Sequence, residues 1–172
     1  AQVSNGGSAL VTLALGLAKE AAGHDAAREF LLAAYGDAVA EESRVFPELV
    51  PLLAGWEAAG RPWGIVTNKP RAYAEPLVAA LGLAPGALLC ADDLPVKKPD
   101  PAPLLEAARR LAVAPPACWY LGDHLRDIQA ARAAGMPAVA VGWGYVEEDD
   151  DFRAWPADLW FETVEALAAA LD

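Results

Sequence analysis

The sequence predicts a doubly wound, Rossmann-like α/β domain with a small helical cap ahead of it, and three observations carry that prediction. Short continuous apolar runs, not alternating ones, recur from Trp63 onward. Helix-forming stretches bounded by Gly or Pro separate them. A polar cluster follows each of the first three runs, where the chain leaves a strand. Continuous apolar strands alternating with helices indicate a parallel sheet with helices on both faces.

Residues 1–43 form the expected cap. From Ser8 to about Ala40 helix formers are broken at Gly23 and Gly36. Two or three short helices fit, with Asp25 as an N-cap and Glu29 placed to return the cap. Arg44-Val45-Phe46-Pro47 reads as a linker opening a core over residues 44–172, and Pro47 starts a helix over 48–59 that Gly60 stops. Strands are expected at 63–66, 87–90, 118–121 and 138–141, with a fifth at 159–161. Helices at 72–81, 101–111 and 127–134 lie between them, and a last helix runs through Leu171.

Composition narrows the partners. Twenty-four acidic residues against thirteen basic ones give a net charge of −11, which argues against a nucleic-acid ligand. A small phosphorylated substrate remains compatible, because a local cation and a lysine can reverse the field. Cys90 and Cys118 have no metal-binding or disulfide spacing and read as buried reduced thiols in a cytoplasmic protein. The apolar stretch from Ser8 to Ala18 is too short to span a membrane. The acidic run 147–151 reads as a solvated loop.

In a doubly wound sheet, ligands bind beyond the carboxyl ends of the strands. There the sequence places Thr67-Asn68-Lys69-Pro70, then Asp92-Asp93 leading to Lys97-Lys98-Pro99-Asp100, then Gly122-Asp123-His124-Leu125-Arg126-Asp127. Read singly, Thr67-Asn68 or the two aspartates could cap helices, and Lys98 could be a solvated loop lysine. Together, a hydroxyl, an amide, an ammonium and two carboxylates at one sheet edge suit a phosphate with magnesium. The hydroxyl, amide and ammonium would face phosphate oxygens, and the hard carboxylates would hold the cation.

Val66-Thr67-Asn68-Lys69-Pro70, Lys98-Pro99-Asp100-Pro101 and Gly122-Asp123-x-x-x-Asp127 resemble the second, third and fourth motifs of the haloacid dehalogenase superfamily. Ser4-Asn5-Gly6-Gly7, the stretch 63–70, Ala74-Glu75-Pro76 and Arg126-Asp127-Ile128 are most similar to its phosphoglycolate phosphatase branch, which includes N-acetylmuramic acid 6-phosphate phosphatases. The resemblance implies a magnesium-dependent phosphomonoesterase acting on a small phosphorylated acid or sugar acid. It implies that Thr67 and Asn68 bind the phosphoryl group, that Lys98 (preferred to Lys97 because it directly precedes the proline) neutralises charge, and that Asp123 and Asp127 hold magnesium. Thr67, Lys98 and Asp123 are thus the expected catalytic set. His124 departs from the acidic or small polar residue usual at its position and is left out of the metal shell. His24 has no evident partner, and Arg44 in the linker reads first as a solvated hinge arginine and second as one that could reach a substrate carboxylate.

Nothing before Thr67 matches the superfamily's first motif, Asp-x-Asp-x-Thr, whose aspartates act as nucleophile and as general acid and base. The resemblance implies that this motif lies on a mid-sheet strand outside the chain. The chain alone is therefore expected to be inactive and, with buried ladder groups left unpaired at roughly 1–3 kcal/mol each, unstable. A strand-swapped or homo-oligomeric partner could supply the strand. The rival reading is a non-catalytic binding or scaffold protein that has lost the motif. Dehalogenases, phosphonatases and phosphomutases share the fold, and the Gly-Asp-x-x-x-Asp carboxylates favour the metal-dependent members.

Overall fold

The computed structural model describes residues 6–144 and 151–171. Two helices lead, α1 (Gly7–Leu15) and α2 (His24–Asp37), packed on each other. Asp25 does not cap α2. Gly23 takes the N-cap position at φ +88, a left-handed conformation that glycine adopts without penalty, and Asp25 falls in the first turn, where a carboxylate meets the helix's positive end. His24 is buried at the start of α2, with its Nδ1 3.4 Å from Asp25 Oδ1. Ser4-Asn5 and residues 147–150 of the acidic run lie outside the described residues.

After α3 (Leu49–Ala58), strands and helices alternate. They run β1 (Gly64–Val66), α4 (Arg71–Ala80), β2 (Ala87–Leu89), α5 (Ala102–Arg110), β3 (Tyr120–Gly122), α6 (Leu125–Ala133), β4 (Ala138–Val141), β5 (Leu159–Phe161) and α7 (Val164–Leu171). All pairing among them is parallel, giving the doubly wound α/β architecture. β4 is buried along its whole length, as a continuous apolar strand covered on both faces should be. The main core gathers Leu104 and Ala108 of α5, Ile128, Ala130 and Ala131 of α6, and Ala138 and Ala140 of β4. α5 buries Leu104, Ala107 and Ala108, the i, i+3, i+4 stripe of an amphipathic helix, and pairs Glu106 with Arg109 and Arg110.

Two boundaries differ from expectation. β3 begins at Tyr120 rather than Cys118, because Pro115–Ala117 winds a 3₁₀ turn closed by Cys118 N–H on the Pro115 carbonyl. α6 begins at Leu125 rather than Asp127. Its N-cap is His124, whose ring Nδ1 accepts from the Arg126 N–H at 3.1 Å, so neither aspartate is the cap. Among the described residues no ladder joins β1 to β3, and the sheet lies in two pieces, β1–β2 and β3–β4–β5. No helix is long and apolar enough to cross a membrane.

Candidate active site

The ends of β1 and β3 face an open cavity of about 380 Å³, and Thr67, Lys98, Asp123 and Asp127 all line it. Each arrives there for a local reason. The parallel ladder continues past β1, with Thr67 N–H donating to the Leu89 carbonyl at 2.8 Å and Ala91 N–H to the Lys69 carbonyl at 3.1 Å. The Lys69 N–H donates to Thr67 Oγ1 at 3.1 Å, so the hydroxyl proton is left to point at an acceptor in the cavity. Asn68 does not line the cavity. Its amide clamps the Lys98 main chain in both directions, donating to the carbonyl at 2.9 Å and accepting from the N–H at 3.1 Å. The clamp fixes Lys98 from thirty residues away, and the Lys98–Pro99 peptide is cis. α4 has no side-chain N-cap. Its Arg71 N–H is met by Asp92 Oδ1 at 2.8 Å, so Thr67 and Asn68 are not capping residues.

Lys98 is 9 % exposed, whereas Lys97 lies at the surface. The Lys98 ammonium donates to the Val66 carbonyl at 2.7 Å and to the Tyr120 hydroxyl at 2.8 Å, and sits 2.7 Å from Asp127 Oδ1. Tyr120 in turn donates to the Val66 carbonyl at 3.1 Å. These bonds bridge the division between β1 and β3. Burial, the largest influence on Lys98, pushes its pKa down, but Tyr120 and Asp127 outweigh it and hold the ammonium above its ordinary value. Burial pushes the Tyr120 phenol up to about 12 against the pull of Lys98. Both groups keep their protons at neutral pH.

Tyr120 was not among the residues expected at the site, although two-residue spacing from Gly122 puts both on one strand face. Gly122 and Gly144 also belong to it. A Cβ on Gly122 would sit 2.1 Å from Asp127 Cβ, and one on Gly144 would sit 2.3 Å from both Cβ and Oδ2 of Asp123. The backbone therefore closes on each carboxylate where only glycine fits. His124 is engaged by Arg126, and Arg44 donates to the carbonyls of Glu41 and Ser43 in its own hinge.

Two aspartates line a cavity that holds one lysine, leaving a local excess of negative charge. Asp127 Oδ1 is buried and, although close to Lys98, meets no donor in hydrogen-bonding alignment. A hard oxygen that is ion-paired with Lys98 but holds no aligned hydrogen bond, beside a second carboxylate, fits magnesium, which characteristically takes one or two carboxylates and completes its shell with water and phosphate. Among the described residues no group of three acidic, histidine or cysteine side chains offers a fuller cage.

Residues 5–135 match the model of the haloacid dehalogenase-like hydrolases, three-quarters of the chain. The chain belongs to that family. Among haloacid dehalogenase-like relatives, the N-acetylmuramic acid 6-phosphate phosphatase of Pseudomonas aeruginosa is 38 % identical over 172 residues, covering 99 % of this chain and 76 % of the relative. The phosphoglycolate phosphatase of Xanthomonas campestris pv. campestris is 42 % identical over 162 residues, covering 93 % and 73 %. A crystal structure of a predicted phosphoglycolate phosphatase from Haemophilus somnus superposes with TM-score 0.83 at 23 % identity, over 99 % of this chain and 79 % of that one, a likeness of fold.

Proposed function

We propose that this haloacid dehalogenase-like chain serves a magnesium-dependent phosphomonoesterase whose substrate is a small phosphorylated acid, such as 2-phosphoglycolate or a sugar-acid phosphate. One observation carries the reading: Thr67, Lys98, Asp123 and Asp127 converge on a single cavity at the strand ends. The names of the two relatives supply the substrate class, since both describe phosphate esters of carboxylic acids.

In this reading the Thr67 hydroxyl donates to a phosphoryl oxygen, and the Lys98 ammonium balances its charge. Asp123 and Asp127 hold magnesium, which when bound offsets the repulsion between an anionic nucleophile and an anionic ester. The nucleophile is an aspartate on a strand outside residues 1–172. That strand would seat between β1 and β3, where no ladder joins the two sheet pieces. Its carboxylate oxygen bonds to phosphorus as the P–O ester bond breaks, and the second aspartate of the Asp-x-Asp-x-Thr motif protonates the leaving oxygen. Water, giving a proton back to that aspartate, then attacks phosphorus and releases phosphate and the free carboxylate. Residues 1–43 act as a cap over residues 44–172, closing the cavity against bulk water.

The test uses the protein with that strand present. Phosphate release from 2-phosphoglycolate and from N-acetylmuramic acid 6-phosphate is followed with magnesium, after chelation, and after magnesium is restored. Release that stops on chelation and returns with the metal is expected. No release from either ester in saturating magnesium overturns the reading.

A further inference from the structure

A second cation stands beside the phosphate-binding loop, and the catalytic set does not use it. Lys69 lies two residues past Thr67, so their Cα atoms are at most about 7 Å apart. The Lys69 N–H holds Thr67 Oγ1, and the Lys69 carbonyl is held by Ala91. Its side chain leaves the loop toward the leading helices. There the ammonium donates to the Tyr35 hydroxyl of α2 at 2.7 Å and lies 4.4 Å from the centre of the Tyr35 ring. Tyr35 is itself braced by the Tyr73 ring of α4 at 5.6 Å.

Glu75, six residues on, lies 3.9 Å from the Arg71 guanidinium, and the carboxylates that follow β2 are also taken. Asp93 chelates the Arg71 guanidinium, and Asp92 accepts the Arg71 N–H. In a chain with 24 acidic residues, no carboxylate among the described residues pairs with Lys69. An ammonium has three donors, and Tyr35 accepts from one. The other two meet no acceptor among the described residues, so the group is oriented but not neutralised. Such an ammonium complements a carboxylate, which is acceptor-only and carries the charge that Lys69 lacks.

We propose that Lys69, held by Tyr35, is a specificity-determining residue that binds the carboxylate of a phosphorylated acid whose phosphate lies at Thr67 and Lys98. This rests on the phosphatase reading above and names the substrate group that a cation beside the Thr67 loop selects. Arg44 does not fill that role, because its guanidinium closes the hinge on Glu41 and Ser43.

The experiment compares two ligands that differ at one group: 2-phosphoglycolate, and 2-hydroxyethyl phosphate, which replaces the carboxylate by an alcohol. Binding of each to the magnesium-loaded protein is measured by calorimetry, beside turnover, for the wild type, K69M, K69Q, K69R and Y35F. The wild type should prefer phosphoglycolate. K69M and K69Q should each cut that preference about 10- to 100-fold, the worth of one charge-assisted hydrogen bond. K69R should restore most of it, and Y35F should cut it less than K69M does. A wild type without preference, or a preference that survives K69M or K69Q, overturns the assignment. Lys69-dependent binding without phosphate release would sink the phosphatase reading and leave Lys69 as a carboxylate reader.

Discussion

Replacing Lys98 by Met separates what the lysine does for the fold from what it does for the chemistry. The substitution keeps the aliphatic stem and removes an ammonium that bonds Val66 and Tyr120 and pairs with Asp127. The Lys98 and Asp127 side chains are 9 % and 8 % exposed, so water replaces the lost partner poorly. Removing one member of a buried ion pair costs about 3–5 kcal/mol, because the survivor stays charged and dry. That is a large share of the roughly 5–15 kcal/mol that holds a domain together. Adding D127N removes the stranded charge, and the double variant should regain about 2 kcal/mol over K98M. Phosphate release should nonetheless stay down at least about 100-fold in both variants, since neither carries the cation that in the proposed function would face the phosphoryl group. Urea unfolding of the intact protein gives the stabilities, and phosphate release gives the activities. A K98M protein within about 1 kcal/mol of the wild type, or a double variant no more stable than the single, would refute the buried-pair reasoning.

Two further substitutions probe the supports of the site. Asp93 holds Arg71 and the Cys90 N–H, and the Arg71 hydrogen bond keeps its carboxyl below the usual carboxylate range. The stability it adds is therefore complete above the unfolded value near pH 4 and is lost as pH falls through the lower folded value. D93N should cost about 1–2 kcal/mol at pH 7, the low end because Arg71 is about one-third exposed, and the gap to the wild type should hold from pH 6 to about pH 5 and shrink as pH falls toward 3. Urea titrations across that range check the sign; a gap that widens toward acid is the wrong one. G144A presses a methyl group onto Asp123, and the magnesium concentration for half-maximal activity should rise by about tenfold or more. An unmoved midpoint in a magnesium titration would mean that the Gly144 backbone does not set the Asp123 carboxylate.

The sheet was legible because its strands are short and continuously apolar. β4 and β5 fall where expected, and α4 and α5 start or stop within a residue or so of it. Boundaries moved where local chemistry is less common. A Pro-Pro turn delays β3, and a histidine caps α6 through a ring nitrogen, which no preference for Ser, Thr, Asp or Asn at that position anticipates. The meeting of Thr67, Lys98, Asp123 and Asp127 at one cavity was legible because each lies on the chain beyond a strand end, which a sequence displays directly. Tyr120 with Lys98, Asn68 with the Lys98 main chain, and Tyr35 with Lys69 are pairs 22 to 34 residues apart. They depend on how elements lie against each other, and no local spacing encodes them.

Lys98 also explains how an acidic chain can take an anionic substrate. Net charge acts at long range and through water, where it is screened within about 10 Å at ordinary salt. The cavity is governed by groups a few ångströms apart in a medium less polar than water. There Asp127 helps keep Lys98 charged, Lys98 compensates Asp127 without giving it a well-aligned donor, and Asp123 adds a second carboxylate to the same cavity. The lysine that would face phosphate is thus also the atom-level tie between β1 and β3, through the Val66 carbonyl and the Tyr120 hydroxyl. A substitution there cannot alter charge without altering the join between the two sheet pieces. The stability and activity of Lys98 variants have to be measured together, and the double variant with Asp127 is the one that pulls them apart.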